Sequence, residues 1–173
     1  EFRPVAAEED IITVEYPTEG TGYRIVNNTD RFKGWSMYDN GNGIVTAARQ
    51  TYGADIWQLE DVTETEAGQT YKLRNAITGR YISSTAAPIA VGDEGTTLTN
   101  VYNAKSGDFS IKAGNNALYP LSERANSNPN TLNTGGIYPQ GTGWIFEKAF
   151  PVSFTCTDEE GNTIMEVIRS VAA

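Results

Sequence analysis

Between residues 22 and 148 the apolar positions fall into short runs rich in aromatic and β-branched residues, divided by Gly, Asn, Asp and Thr. Runs of this kind read as strands joined by tight turns. YKLRNAITGRYIS (71–83) is the clearest case. Two such runs flank Asn75-Ala76-Ile77-Thr78-Gly79, which predicts a β-hairpin. The same plan occurs upstream in YRIVNNTDRFKGWSMY (23–38) and downstream in FSIKAGNNALYPLS (109–122). The first strands of these copies start at Tyr23, Tyr71 and Phe109, spaced 48 and 38 residues; the second start at Trp35, Tyr81 and Leu118, spaced 46 and 37.

Each hairpin is followed by more strand-like sequence. IVTAA (44–48), IAV (89–91) and TLNTGG (131–136) supply third strands, and WQLEDV (57–62), LTNVY (98–102) and WIFEKA (144–149) supply fourth ones. The chain therefore reads as all-β, with three four-stranded units of roughly 40 residues, each unable to bury its apolar face alone. A propeller needs at least four blades, so three copies favour a β-trefoil: six strands closed as a barrel and six as three capping hairpins. The domain reading is a lead-in at 1–19, the trefoil at 20–150 and a hairpin-like extension at 151–173. Within the lead-in, IITVEY (11–16) reads as a strand. Within the extension, Val152, Phe154 and Cys156 alternate with polar residues, Asp158 to Asn162 form a turn, and Thr163 to Ile168 return as a strand. That extension is either the start of a further β domain or extra strands on this one. The best helical stretch, IMEVIRSVAA at 164–173, is short and weakly amphipathic.

Composition narrows the function. Lys and Arg total 13 against 22 Asp and Glu, a net charge of −9. With no basic stripe, the surface repels phosphate backbones, so neither nucleic acid nor an anionic membrane is expected as a partner. The chain has no His and one Cys, which removes Ser-His-Asp and Cys-His catalysis, internal disulfides and Cys- or His-based zinc sites. No window approaches the ~18 apolar residues of a membrane helix, so no membrane insertion is expected. No cofactor is implied.

The repeat spacing and the tryptophan near the end of two units resemble the ricin-type β-trefoil family, and the resemblance implies a carbohydrate-binding-module-like domain of a bacterial secreted or surface protein. The resemblance spans about residues 20–150. Units of that family end in Gln-x-Trp. Here the triplets are Asp55-Ile56-Trp57 and Thr142-Gly143-Trp144, which keep the tryptophan twice and the glutamine never. Trp57 and Trp144 read as core residues. The resemblance implies a sugar-facing carboxylate just after the second strand, where Asp39 falls in the first unit, Ser83 in the second and Ser122 in the third. Trp35 and Tyr38 supply candidate stacking rings, and Asn40 and Asn42 candidate amides. The family's other sugar contacts fall near Ala48 and Ala54, a departure from its pattern. The competing reading of Asp39-Asn40-Gly41 is a turn.

Two oxygen-rich groups, Asp39 with Asn40 and Asn42 and Asp158 to Asn162, are reminiscent of calcium loops but match no twelve-residue loop, so no metal is assigned. Arg74 and Arg80 flank the 71–83 turn as candidate carboxylate binders or as surface cover. The Asn-rich stretch 124–136 is a candidate recognition loop. The expected function is a non-catalytic carbohydrate-binding module, extracellular or at a cell surface, with a glycan or glycoprotein as ligand and other domains of the same polypeptide as neighbours. The alternative is a structural or protein-interaction domain in a larger surface protein. A hydrolase built on a carboxylate pair has no residue pair to support it.

Overall fold

The computed structural model describes residues 14–49, 51, 53–86, 88–120, 130–135 and 141–172. Twelve of the thirteen strands among the described residues fall into the three expected units. The first contains β1 (Gly22–Asn27), β2 (Ser36–Asp39), β3 (Val45–Ala48) and β4 (Trp57–Thr65). The second contains β5 (Gly68–Asn75), β6 (Tyr81–Ile82), β7 (Val91–Gly92) and β8 (Leu98–Asn103). The third contains β9 (Asp108–Ala113), β10 (Asn116–Pro120), β11 (Asn130–Gly135) and β12 (Trp144–Thr157).

Six strands close a ring. β1 pairs with β4, β4 with β5, β5 with β8, β8 with β9, β9 with β12 and β12 with β1, all antiparallel. Closure removes the sheet edges that three separate units would expose. The other strands form the hairpins β2–β3, β6–β7 and β10–β11. These join into a cap through β3–β11 and the Ile44–Ala90 bridge, with Val45 N donating to Ile89 O and Val91 N to Gly43 O.

The register repeats from unit to unit. Tyr23 lies opposite Trp57, Tyr71 opposite Leu98 and Phe109 opposite Trp144. Leu98 therefore takes the tryptophan position in the middle unit. All three are fully buried, in a core that includes Ile25, Leu59, Leu73, Ile111 and Leu118. Each tryptophan also satisfies its polar edge. Trp57 Nε1 donates to Met37 O and Trp144 Nε1 to Leu118 O, both at 3.0 Å.

An asparagine four residues beyond the leading tyrosine locks two of the three junctions. Asn27 Nδ2 donates to Gly141 O and Asn75 Nδ2 to Ala54 O, both at 2.7 Å. Each Oδ1 accepts backbone N–H groups of its own turn, from Thr29 in one case and from Ile77 and Thr78 in the other. Each accepting carbonyl belongs to the residue three before the tryptophan, in the left-handed region (Ala54 φ 55°, Gly141 φ 94°). The third junction lacks both partners: Ala113 stands for the asparagine and Leu98 for the tryptophan. Tryptophan and asparagine are thus lost together.

The ends differ from the rest. Residues 14–16 form no strand, although IITVEY suggested one; residues 11–13 lie outside the described residues. This segment crosses the barrel instead, with Tyr16 against the Phe109 ring at 5.5 Å and Gln69 Nε2 donating to Pro17 O. At the other end β12 runs on through Pro151 and returns as β13 (Thr163–Ala172), so the weak helical stretch 164–173 is strand through 172. The turn follows from Asp158, whose Oδ1 accepts Glu160 N at 3.0 Å and Asn162 N at 2.8 Å.

Candidate functional site

The expected sugar-contact residues meet only in part. Trp35 is buried, 4% exposed, with its ring edge-on to Phe32 at 5.2 Å. It belongs to the buried core and presents no stacking face. Asp39 ends β2 with a fully buried side chain. Its Oδ1 accepts Arg80 Nη2 at 2.9 Å and Gly41 N at 3.0 Å, and its Oδ2 accepts Arg80 Nε at 2.9 Å and Thr78 Oγ1 at 2.8 Å. A carboxylate offers about four acceptor positions, and here all are filled. Asp39 thus ties the first unit to the β5–β6 turn and has no place left for a sugar hydroxyl. Tyr38 and Asn40 are half-buried and Asn42 is exposed on the β2–β3 turn. Asn40 Oδ1 holds that turn by accepting Asn42 N at 2.7 Å.

Both hairpin arginines are occupied by the fold. Arg80 is bound by Asp39, and Arg74 reaches Glu60 at 3.4 Å and lies over the Tyr81 ring at 5.6 Å. Glu60 also accepts the Tyr81 hydroxyl, which raises the tyrosine's pKa above its usual value. In the oxygen-rich turn at 158–162, backbone and side-chain hydrogen bonds from Asn162 draw the Asp158 pKa down. Ser83, the second-unit carboxylate position, faces Ala90 O. Ser122, residues 124–129 and residue 136 lie outside the described residues; 130–135 form β11.

A second carboxylate has the arrangement that Asp39 lacks. Three segments distant in sequence converge on a polar cleft of about 270 Å³: Asn28, Thr29 and Asp30 after β1; Asn103, Ser106 and Asp108 around the β8–β9 turn; and Thr142 and Gly143 before β12. Asn28 N donates to Gly143 O at 2.9 Å and Gly141 N to Thr29 Oγ1 at 3.0 Å, which fixes the first segment to the third. The β8–β9 turn closes through Gly107 N to Asn103 O at 2.8 Å, with Gly107 at φ 72°.

Asp108 lies at the back of this cleft, 3% exposed. Oδ1 accepts Asn103 Nδ2 at 2.8 Å and Ser106 Oγ at 2.7 Å, and Oδ2 accepts Asn28 Nδ2 at 3.0 Å. Three of about four acceptor positions are filled, all by neutral donors. No cation pairs with this carboxylate among the described residues. Gly143 permits the approach, because a Cβ there would lie 2.3 Å from Asp108 Oδ2. The equivalent contact in the first unit reverses the sizes, with Gly22 beside the Ile56 side chain. The cleft therefore offers a nearly buried carboxylate, Asp108, with an acceptor position left, and an exposed one, Asp30, among amides and hydroxyls. Among the described residues, no three His, Cys, Asp or Glu side chains are grouped closely enough to hold a metal ion.

Sequence reasoning marked Thr142-Gly143-Trp144 and missed the rest of this site. Asp108 sits in an ordinary-looking Ser-Gly-Asp turn, and only closure of the ring brings it to Asn28.

No protein-family model matches the sequence, and no curated protein does. Solved structures do. The Rhizoctonia solani agglutinin superposes with a TM-score of 0.57 at 16% identity, covering 79% of this chain and 99% of its own. The BEL β-trefoil, in an apo crystal form, gives 0.56 at 19% identity, covering 78% and 97%. At these identities the likeness is one of fold, and together with the closed six-stranded ring and three-hairpin cap it makes this chain a β-trefoil.

Proposed function

We propose that this β-trefoil is a non-catalytic glycan-binding module of a secreted or cell-surface protein, and that the cleft between its first and third units takes the sugar. The observation that carries the reading is Asp108, a nearly buried carboxylate held by three neutral donors with an acceptor position left at the back of a cleft. A sugar hydroxyl donating there makes a charge-assisted hydrogen bond, and the surrounding Asn, Thr and Ser groups suit its neighbours. The cleft has room for about one sugar ring. One of the similar structures is an agglutinin by name, which accords with this reading.

A glycan array tests it. The wild-type chain is expected to bind a defined set of glycans, Asp30→Ala and Asn103→Ala to lose most of that binding, and Tyr38→Ala and Asn42→Ala to keep it. No binding to any glycan overturns the function. Loss in the Tyr38 and Asn42 variants alone moves the site to the β2–β3 turn. The second reading, a structural or protein-interaction domain within a larger surface protein, is favoured by β13, which pairs only with β12 among the described residues. It predicts an array without hits.

A further inference from the structure

The segment crossing the open end of the barrel is held at several points. Thr18 N donates to Tyr23 Oη at 2.8 Å, Gly20 N to Leu59 O at 3.2 Å, and Glu19 forms a bridge with Leu59. Between this strap and the barrel lies a half-open pocket of about 180 Å³. Its walls are Tyr16, Tyr23, Phe109, Phe146 and Pro17. The rings form one continuous set: Tyr16 meets Phe109 at 5.5 Å, Phe109 meets Phe146 at 5.9 Å and Phe146 meets Tyr23 at 5.8 Å. Glu15 and Lys148 complete the lining, both exposed. Neither has an ion-pair partner among the described residues.

An aromatic wall with one unpaired anion and one unpaired cation is complementary to a small zwitterion. The rings and Glu15 suit the cationic end through cation–π and charge attraction. Glu15 offers a protonated amine one carboxylate, but Tyr23 Oη already meets Thr18 and phenylalanine rings accept no conventional hydrogen bond, so the amine's remaining N–H groups would lose hydration without full replacement. A methylated ammonium carries no N–H groups to satisfy. Lys148 suits an anionic end such as phosphate or carboxylate. The volume is adequate, since a 150 Å³ apolar cavity already takes a benzene ring.

We infer that this pocket binds a compact zwitterion whose cationic end is a methylated ammonium, of the phosphocholine or betaine kind. The pocket shares no lining residue with the polar cleft, although Phe109 directly follows Asp108 in the chain, and its ligand is proposed independently of glycan binding.

Titration calorimetry of the full chain with phosphocholine, choline, phosphoethanolamine and inorganic phosphate tests the inference. Phosphocholine is expected to bind most tightly, choline more weakly, and phosphoethanolamine and phosphate weakest. Glu15→Gln is expected to weaken phosphocholine by about threefold or more and Tyr16→Leu by about tenfold. Lys148→Gln should remove the preference for phosphocholine over choline. Glu15 and Lys148 are exposed, so their variants keep the fold and the test stands if Tyr16→Leu loosens the strap. Flotation with phosphatidylcholine vesicles separates the sources: co-flotation assigns a lipid headgroup, and binding of soluble phosphocholine alone assigns a free ligand. Absence of phosphocholine binding at about 20 mM, well above a dissociation constant of ~1 mM, overturns the inference. So does equal affinity for phosphoethanolamine, or binding unchanged in both Glu15→Gln and Tyr16→Leu. An array without glycan hits leaves this pocket standing, and failure here leaves the cleft standing.

Discussion

Replacing Arg80 with alanine probes the tie between the first and second units. The change removes two of the four donors to Asp39, Nε and Nη2, each at 2.9 Å. Thr78 Oγ1 and Gly41 N remain. Breaking a buried ion pair from one side costs about 3–5 kcal/mol, because a charge stays behind without its partner. Asp39 is fully buried, but the Arg80 side chain is 34% exposed, so water reaches part of the vacated space. We therefore expect a loss of about 2–3 kcal/mol. For a chain of this size that lowers Tm by roughly 5–10 °C. Urea unfolding followed by circular dichroism measures it, and Asp39→Asn, alone and with Arg80→Ala, completes a cycle. The double variant should lose less than the sum of the singles by about 1–2 kcal/mol, because neither charge is left stranded. A cost under about 0.5 kcal/mol for Arg80→Ala, or strict additivity, would refute the assignment of Asp39 to the fold.

Gly143→Ala should destabilise by about 2 kcal/mol in chemical denaturation, because its Cβ would meet Asp108 Oδ2 at 2.3 Å. Ala54→Gly should stabilise by about 0.5–1 kcal/mol, since the alanine holds φ 55° where its third-unit counterpart is already Gly141. Tyr71 is buried and its hydroxyl donates to Asn100 Oδ1; burial raises its pKa well above 10. The folded chain therefore keeps a proton that the unfolded chain releases, so stability is full below pH 10 and falls as pH rises beyond it. Unfolding at pH 8 and 11 should show that fall reduced in Tyr71→Phe.

Much of the architecture was legible in the hydrophobic pattern. Tyr23, Tyr71 and Phe109 open the three units because each packs beside the residue that begins a fourth strand, and packing residues recur with the repeat. The junction asparagines were visible too, as Asn27 and Asn75 four residues past the leading tyrosine, but their role requires the carbonyls of Gly141 and Ala54. Asp39 could not be told from a ligand-facing carboxylate, because its arginine lies 41 residues away in the next unit. Trp35 looked available for stacking because an aromatic at a strand start carries no mark of which side it faces. The polar cleft is assembled from turns far apart in sequence, with Asn28 reaching Asp108 across 80 residues, and no local pattern links Asn28 to Asp108 or Gly143. The 164–173 stretch is strand because β12 extends past the barrel and offers it a pairing edge, a tertiary effect that outweighs weak helical periodicity.

A sugar hydroxyl is proposed to meet Asp108 in the cleft between the first and third units. Titration of the ¹⁵N-labelled chain with a glycan from the array, followed through side-chain amide resonances, tests it most directly. Saturable shifts are expected in the Asn28 and Asn103 amides, whose Nδ2 groups hold the carboxylate, with Asn40 and Asn42 unmoved. Shifts confined to Asn40 and Asn42, or a bound glycan that leaves Asn28 and Asn103 untouched, would contradict it.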